Sequence, residues 1–86
     1  MYNGYKNFQT WSISCYISNE ESVYFHYQDI LKELEAAEDK AAELAKILQQ
    51  DFTELPENIE SPHREILSAA LEEVDFLEVA KAFIDD

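Results

Sequence analysis

Apolar residues recur every three or four positions along most of the chain, a spacing that predicts amphipathic helices. From Val23 to Phe52 this spacing continues without a proline or a glycine. A single helix over 20–53 would be about 50 Å long at 1.5 Å per residue, more than the roughly 30 Å breadth expected of so small a globule. We therefore predict a break or sharp bend near 36–39, with Asp39 capping a new helix. A continuous helix would instead imply a dimer that covers its protruding end.

The segment 8–17 carries two competing patterns. Apolar and polar residues alternate there, which is typical of a strand. The chain has no second alternating run, so a strand at this position would leave its backbone groups unpaired. Asn7 has a side chain suited to capping the helix N-terminus that would follow it. We predict a helix over 8–17. The alternating residues are Trp11, Ile13, Cys15 and Ile17 with Ser12, Ser14 and Tyr16.

Capping residues predict where the remaining helices begin. Asn19, followed by two glutamates, suits the start of the second helix. Ser61 and Pro62 suit the start of the fourth, because a proline at the first helical position lacks only a donor that would be unpaired anyway. Asp75, with Glu78 three residues on, resembles a capping box for the last helix. The sequence predicts an all-α fold, a compact bundle of four to five helices at about 8–17, 20–36, 39–53, 62–73 and 76–84, in one domain over 1–86.

Aromatic and charged residues are distributed unevenly. The stretch Asn7–Tyr27 holds the only tryptophan, the only cysteine and six of the eleven aromatic residues. The first 27 residues carry two glutamates against one lysine, whereas the rest carries 17 acidic residues against five basic ones. We expect an aromatic N-terminal core onto which acidic helices fold. Asp85 and Asp86 are expected to form a solvated tail at the unfavourable end of the last helix dipole.

The net charge of −13 is the dominant global feature. It argues against direct binding to nucleic acid or to an anionic membrane, since phosphates would be repelled. A single cysteine excludes an internal disulfide, and we expect Cys15 to be a buried, inert thiol. The sequence shows no apolar run of roughly 18 residues and no signal peptide, so we expect a cytoplasmic protein.

Few residues suggest catalysis or metal binding. His26 and His63 lie on different predicted elements, and neither has a partner four residues on. Glu60 and His63 have a di-iron spacing, but they straddle a helix start and would not project together. Nothing orients or activates Cys15 as a nucleophile. We expect no enzymatic activity, no metal and no cofactor.

Carboxylates three or four residues apart recur on the predicted helices, with about 5–6 Å between their Cβ atoms. This spacing is close to that of phosphates along a nucleic-acid backbone. A row of such carboxylates is therefore predicted to bind a basic groove that normally holds DNA or RNA. The alternative is a merely solvated face. The predicted partner-binding carboxylates are Asp29, Glu33, Glu35, Glu38, Asp39 and Glu43.

Aromatic residues at 24–27 add a candidate anchor. Consecutive helical residues point about 100° apart, so Tyr24, Phe25 and Tyr27 cannot all face one core. If Tyr27 is inward, Tyr24 or Phe25 is at least partly exposed, as is Tyr2 or Tyr5. Exposed aromatic side chains in a small protein often mark an interface. We predict Tyr24 as the anchor beside the carboxylates.

Two segments, one near each end of the chain, are distinctive in combination. The first is Asn7-x-x-Thr10-Trp11, continuing to Ile17-x-Asn19-Glu20. The second is Leu67-x-Ala69-Ala70-Leu71-x-Glu73-Val74-Asp75-Phe76-x-Glu78-Val79-Ala80. Together they resemble a family of small uncharacterised proteins of phages, plasmids and their prokaryotic hosts. Where family members often carry a second tryptophan, this chain has Tyr16 and Phe76. The resemblance implies a compact helical fold and a mobile-element setting, and it implies no activity.

The leading hypothesis is a non-enzymatic acidic protein of phage or plasmid origin that inhibits a host nucleic-acid-binding defence system, as anti-CRISPR and anti-restriction proteins do. Its partner would be a basic protein surface. The alternative is a structural or regulatory homodimer whose acidity serves only solubility.

Overall fold

Five helices, joined by short connections, make up the computed structural model, which describes residues 1–85. The all-α bundle predicted from the sequence is confirmed, and so is the break between the second and third helices. Residues 34–39 leave the helical path and join them. The helices are α1 Phe8–Asn19, α2 Glu21–Glu33, α3 Lys40–Thr53, α4 His63–Glu72 and α5 Phe76–Asp85.

Helix α5 occupies the centre of the bundle. It packs most extensively against α3 and then against α1. Two fully buried leucines of α3, Leu44 and Leu48, share one face of that helix because they are four residues apart. The fully buried Ala80 of α5 has a short side chain, which lets neighbouring backbones approach. The buried residues of α5 are Phe76, Val79, Ala80 and Phe83.

The prediction that the aromatic N-terminal stretch forms the core is wrong. Of the six aromatic residues between Asn7 and Tyr27, only Tyr27 is buried. Ile17 is the one further apolar side chain that this stretch buries. The core therefore lies around α5, and the N-terminal segment packs against its outside.

Helix α1 begins where Asn7 caps it, as predicted, with Asn7 Oδ1 accepting from the Thr10 backbone N–H at 2.9 Å. Its buried side chains are Thr10, Ser14 and Ile17, which recur at helical spacing. Two of these three are polar, so a pattern of apolar residues does not reveal which face of α1 is buried. This explains why the sequence here looks strand-like although the backbone is helical.

The boundary between α1 and α2 differs from the prediction. Helix α1 continues through Asn19, so the predicted cap at Asn19 is wrong. Glu20 takes the N-cap position of α2, and its side chain makes no capping hydrogen bond. The Glu20 backbone N–H still donates to the Tyr16 carbonyl, which extends the α1 ladder. Helix α2 also ends three residues early, at Glu33. The predicted cap at Asp39 is confirmed by its bond from the Ala42 N–H at 3.1 Å.

Helix α4 is the least embedded element of the described chain. None of its residues is buried, and it packs only lightly on α3. Pro62 takes the N-cap position, and the Ser61 hydroxyl donates to the Glu65 carboxylate, so Ser61 does not cap as predicted. The radius of gyration is 13.3 Å, above the roughly 12 Å of a compact chain of this length.

Helix α5 ends at Asp85, which is exposed. Asp85 therefore belongs to the last turn and not to the tail predicted for it. Asp86, the other residue of that predicted tail, lies outside the described residues.

Candidate protein-binding surfaces

The N-terminus folds back on α1 through a tight turn. Tyr2 and Tyr5 exchange backbone hydrogen bonds at 2.7 and 2.8 Å. Between them Asn3 and Gly4 have φ of 47° and 89°, in the left-handed region that an Asn-Gly turn favours. The Asn3-Gly4 dipeptide is the signal for this turn in the sequence. The turn places the Tyr2 ring 5.3 Å from Phe8.

The two segments that carry the family resemblance meet in space. The Thr10 hydroxyl donates to Asn7 Oδ1 at 2.6 Å and accepts from the Asp75 backbone N–H at 3.0 Å. The Asn7 amide in turn donates to the Glu73 carbonyl at 2.7 Å. Thr10 is fully buried, and its two bonds are part-buried, whereas the bond from Asn7 to Glu73 is exposed. The opening motif therefore fastens α1 to the junction between α4 and α5.

Asp75 and Glu78 complete this junction. Asp75 Oδ1 accepts from the Glu78 backbone N–H at 3.1 Å, which confirms half of the predicted capping box. The Glu78 carboxylate does not return to Asp75, whose N–H is already bonded to Thr10. It accepts instead from the Lys6 backbone N–H at 2.9 Å. The motif residues thus bond to one another and hold α1 to the start of α5.

A shallow cavity of about 270 Å³ lies between the helices beside Tyr27. The Tyr27 hydroxyl donates to Asp51 Oδ2 at 2.8 Å and ties α2 to α3. Burial, and secondly this hydrogen bond, raises the pKa of Tyr27 far above its usual range. His26 is exposed and lies edge-on to Tyr27, with 4.8 Å between ring centroids. A neutral tyrosine that already donates to a carboxylate serves as a structural link.

The metal-ligating side chains and the single thiol lie apart from one another in the described structure. Within residues 1–85, no three His, Cys, Asp or Glu side chains are grouped so that they could hold a metal ion. Cys15 is partly exposed, so the expectation of a buried thiol is wrong. The same residues include no helix long and apolar enough to cross a membrane.

The six predicted carboxylates follow one another around the corner between α2 and α3, and we call this set the acidic corner. Five are exposed and Glu43 is partly exposed. Because α2 ends at Glu33, the predicted helical pair Glu35 and Glu38 lies in the connection 34–39 and not on a helix. The acidic corner comprises Asp29 and Glu33 on α2, Glu35 and Glu38 in the connection, Asp39 at the N-cap and Glu43 on α3.

Lysines offset the acidic corner only in part. Lys32 lies 3.9 Å from Asp29, and Lys46 lies 3.5 Å from Glu43, measured from Nζ to the carboxylate oxygen. The lysine side chains are 80% and 74% exposed, and such ion pairs contribute about 0–1 kcal/mol. Lys40 is the third lysine of this region, so Lys32, Lys40 and Lys46 stand against the six carboxylates. The corner therefore keeps a net negative charge and is largely solvated.

The structure separates Tyr24 from the acidic corner and brings Phe25 to it. The Tyr24 ring is half-buried, 5.5 Å from that of Phe83 on α5. At about 100° per residue, Tyr24 points to the opposite side of α2 from Glu33. Phe25 is 55% exposed, and it shares a face with Asp29 because the two are four residues apart. Phe25 is thus the exposed ring beside the corner, supported edge-on by Tyr24 at 5.5 Å.

A second surface is an apolar groove between α1 and α4. Phe8 on one wall is 52% exposed, and Leu67 on the other is 40% exposed. Sequence reasoning missed this groove, although the apolar stripe of α4 beside an uncharged α1 was the available signal. The groove is lined by Phe8, Gln9, Ser12, Ile13, Leu67, Ala70, Leu71 and Val74, and none of these residues is charged.

The fold defines a small, strongly acidic five-helix bundle. By sequence, the chain belongs to the DUF7249 family, a family of unknown function whose pattern matches residues 1–80. No curated protein and no solved structure matches the chain. Membership agrees with the resemblance to an uncharacterised family and assigns no activity.

Proposed function

We propose that this chain is a non-enzymatic binding protein that blocks the nucleic-acid groove of a basic host protein. Its acidic corner would replace the phosphates of DNA or RNA in that groove. The observation that carries the proposal is the run of six largely exposed carboxylates over 29–43, which Lys32, Lys40 and Lys46 offset only in part. Charge complementarity of this kind speeds association and selects the partner.

An exposed ring beside the carboxylates supports the same proposal. Interfaces draw much of their affinity from a few aromatic anchors surrounded by polar contacts. Phe25 has that position, and Tyr24 behind it limits the motion of its ring. The carboxylates would then govern the rate and salt dependence of binding, while Phe25 would lengthen the lifetime of the complex.

We further propose a phage or plasmid origin and a role in the host cytoplasm against a defence system of the CRISPR or restriction type. The two sequence segments that resemble proteins of mobile elements support the setting. Small size and high negative charge suit an inhibitor that competes with nucleic acid, since the same basic groove attracts both.

Capture from a prokaryotic lysate tests this proposal. The immobilised chain is exposed to nuclease-treated lysate at low and at high salt, and captured proteins are eluted with DNA. We expect a nucleic-acid-binding protein that is held at low salt and released by DNA or by salt. If no such protein is recovered at low salt, or if DNA fails to displace it, the proposal is wrong.

Two variants with equal charge separate the acidic corner from the net charge. Each neutralises six carboxylates and takes the net charge from −13 to −7. Asn also caps helices, so Asp39→Asn preserves the start of α3. We expect capture to be lost in the corner variant and kept in the control. The corner variant is Asp29→Asn, Glu33→Gln, Glu35→Gln, Glu38→Gln, Asp39→Asn and Glu43→Gln. The control is Glu20→Gln, Glu21→Gln, Glu54→Gln, Glu57→Gln, Glu60→Gln and Asp85→Asn, all at exposed positions.

A further inference from the structure

Aromatic rings from three helices border the cavity beside Tyr27. Tyr16 comes from α1, Tyr27 from α2 and Phe52 from α3. The Phe52 ring lies 6.5 Å from that of Tyr27 at 27° and 6.2 Å from that of Tyr16 at 90°, measured between ring centroids. Ring planes in two perpendicular orientations therefore surround one cavity.

A carboxylate in the lining of this cavity keeps one oxygen available. Asp51 Oδ2 accepts the hydrogen bond from the Tyr27 hydroxyl at 2.8 Å, which holds the carboxylate in place. Among the residues that the structure describes, none donates to Asp51 Oδ1 and no cation pairs with Asp51. Nor does a lysine or arginine of residues 1–85 line the cavity. Ring faces and a carboxylate, two groups that attract a cation, thus meet at one site.

We propose that this cavity binds the side chain of an arginine that a partner protein presents. The guanidinium group stacks on the half-exposed ring of Tyr16, and its N–H groups donate to Asp51 Oδ1. Because guanidinium is planar, its face can lie on a ring while its edge donates to a carboxylate. The cavity of about 270 Å³ has room for this group, since about 150 Å³ accommodates benzene.

The chemistry of the site favours arginine over other cations. The available oxygen of Asp51 favours a cation with N–H donors, which a quaternary ammonium lacks. Guanidinium is more weakly hydrated than the ammonium of lysine, so it loses less hydration when it contacts the rings. It also presents several donors in a fixed geometry, which suits a carboxylate that the Tyr27 hydroxyl already holds in place.

The shallow form of the cavity indicates that the arginine belongs to another protein. Ser22, His26 and Asp51 in its lining are exposed. A free small molecule would therefore remain partly in water, whereas small-molecule pockets bury about 70–90% of the ligand surface. An arginine carried on a protein surface is covered by that surface when the two proteins meet. The cavity shares no residue with the acidic corner, so this proposal stands without the proposed function.

Capped pentapeptides with one central residue among glycines provide the probes. The central residue is arginine, lysine or the neutral citrulline, and each peptide is titrated into the full chain at constant ionic strength while NMR follows the backbone amides. The arginine peptide should bind at least about tenfold more tightly than the citrulline peptide and about threefold more tightly than the lysine peptide. The shifts should be concentrated at the residues that line the cavity. Equal affinity of the arginine and lysine peptides, or shifts centred on the acidic corner, would overturn the proposal.

Two asparagine variants separate the carboxylate of the site from the net charge. Asp51→Asn keeps an acceptor for the Tyr27 hydroxyl and removes the charge, whereas Asp85→Asn removes the same charge outside the cavity. Each takes the net charge from −13 to −12. Asp51→Asn should weaken binding of the arginine peptide by about tenfold, because a bond between charged groups is lost. Asp85→Asn should leave it unchanged, and equal effects of the two variants contradict the proposal.

Two tyrosines give a second matched pair. Tyr16 is 48% exposed and borders the cavity, whereas Tyr2 is 41% exposed and lies outside it. Tyr16→Leu should weaken binding of the arginine peptide by about threefold, because a cation–π contact is lost, and Tyr2→Leu should not change it. If the two substitutions have the same effect, the rings of the cavity do not recognise the guanidinium group.

Free arginine distinguishes the two sources of a guanidinium group. We expect it to bind no more tightly than the arginine peptide. Binding at least about tenfold tighter than the peptide would show that the cavity takes a small molecule, and this would overturn the proposal. None of these variants alters the acidic corner, so their outcome is independent of the lysate test.

Discussion

Replacing Thr10 with valine tests the joint between α1 and the α4–α5 junction. Valine has nearly the shape of threonine, so the substitution removes the hydroxyl without opening a cavity. Thr10 is fully buried, and its hydroxyl both donates to Asn7 Oδ1 and accepts from the Asp75 N–H. The substitution therefore removes two hydrogen bonds and leaves the Asp75 N–H without its acceptor in a part-buried site.

The magnitude follows from these bonds. A lost hydrogen bond costs about 0.5–1.5 kcal/mol net, and leaving a buried donor unpaired costs about 1–3 kcal/mol. We expect Thr10→Val to lower the free energy of unfolding by about 2–4 kcal/mol. At about 0.05–0.15 kcal/mol per residue, a domain of this length has a free energy of unfolding of about 4–13 kcal/mol. The expected loss is a substantial fraction of that total.

Urea unfolding followed by far-UV circular dichroism measures this loss. Thr53→Val is the matched control, because the Thr53 hydroxyl also donates to a carbonyl, that of Gln49, but at an exposed position. It should cost no more than about 0.5 kcal/mol. Thr10→Ser keeps the hydroxyl and removes one methyl group, at about 1 kcal/mol. If Thr10→Val costs no more than Thr10→Ser or Thr53→Val, the joint does not hold these elements together.

Two further predictions concern titratable groups. Tyr27→Phe should cost about 1–2 kcal/mol, because a hydrogen bond to a carboxylate is lost. Burial raises the folded-state pKa of Tyr27 above the unfolded-state value of about 10. The free energy of unfolding of the wild type should therefore be constant below about pH 10 and fall above it. Urea titrations on both sides of that pH should show this fall in the wild type and a smaller one in Tyr27→Phe. Ser61→Ala should raise the pKa of the Glu65 carboxyl towards its ordinary value, because the bond that lowers it is removed. NMR titration of that carboxyl measures the shift, and an unchanged pKa contradicts the assigned bond.

Local signals predicted most of the helical layout. Asn7 and Asp39 cap the helices that follow them, and Asp75 accepts from the Glu78 N–H. Such caps depend on residues three positions apart, which a sequence displays directly. The break between α2 and α3 followed from length alone, because one continuous helix would have exceeded the breadth of the domain.

Long-range relations explain what sequence reasoning missed. Thr10 and Ser14 are buried because Asp75 and Tyr5 supply partners for their hydroxyls. The sequence does not reveal that these distant residues are neighbours. The central position of α5 is likewise a property of packing between helices. The sequence analysis chose Tyr24 as the anchor, but Tyr24 is half-buried and Phe25 is the exposed ring. The i, i+4 spacing of Phe25 and Asp29 was the local signal for Phe25.

Competition with DNA tests the central claim most directly, namely that the acidic corner occupies a nucleic-acid groove. Labelled DNA bound to the captured protein is titrated with the chain, and fluorescence anisotropy follows its release. We predict full, competitive release, with the corner variant at least about tenfold weaker than the charge-matched control. A ternary complex that retains the DNA, or equal release by the two variants, would contradict the account.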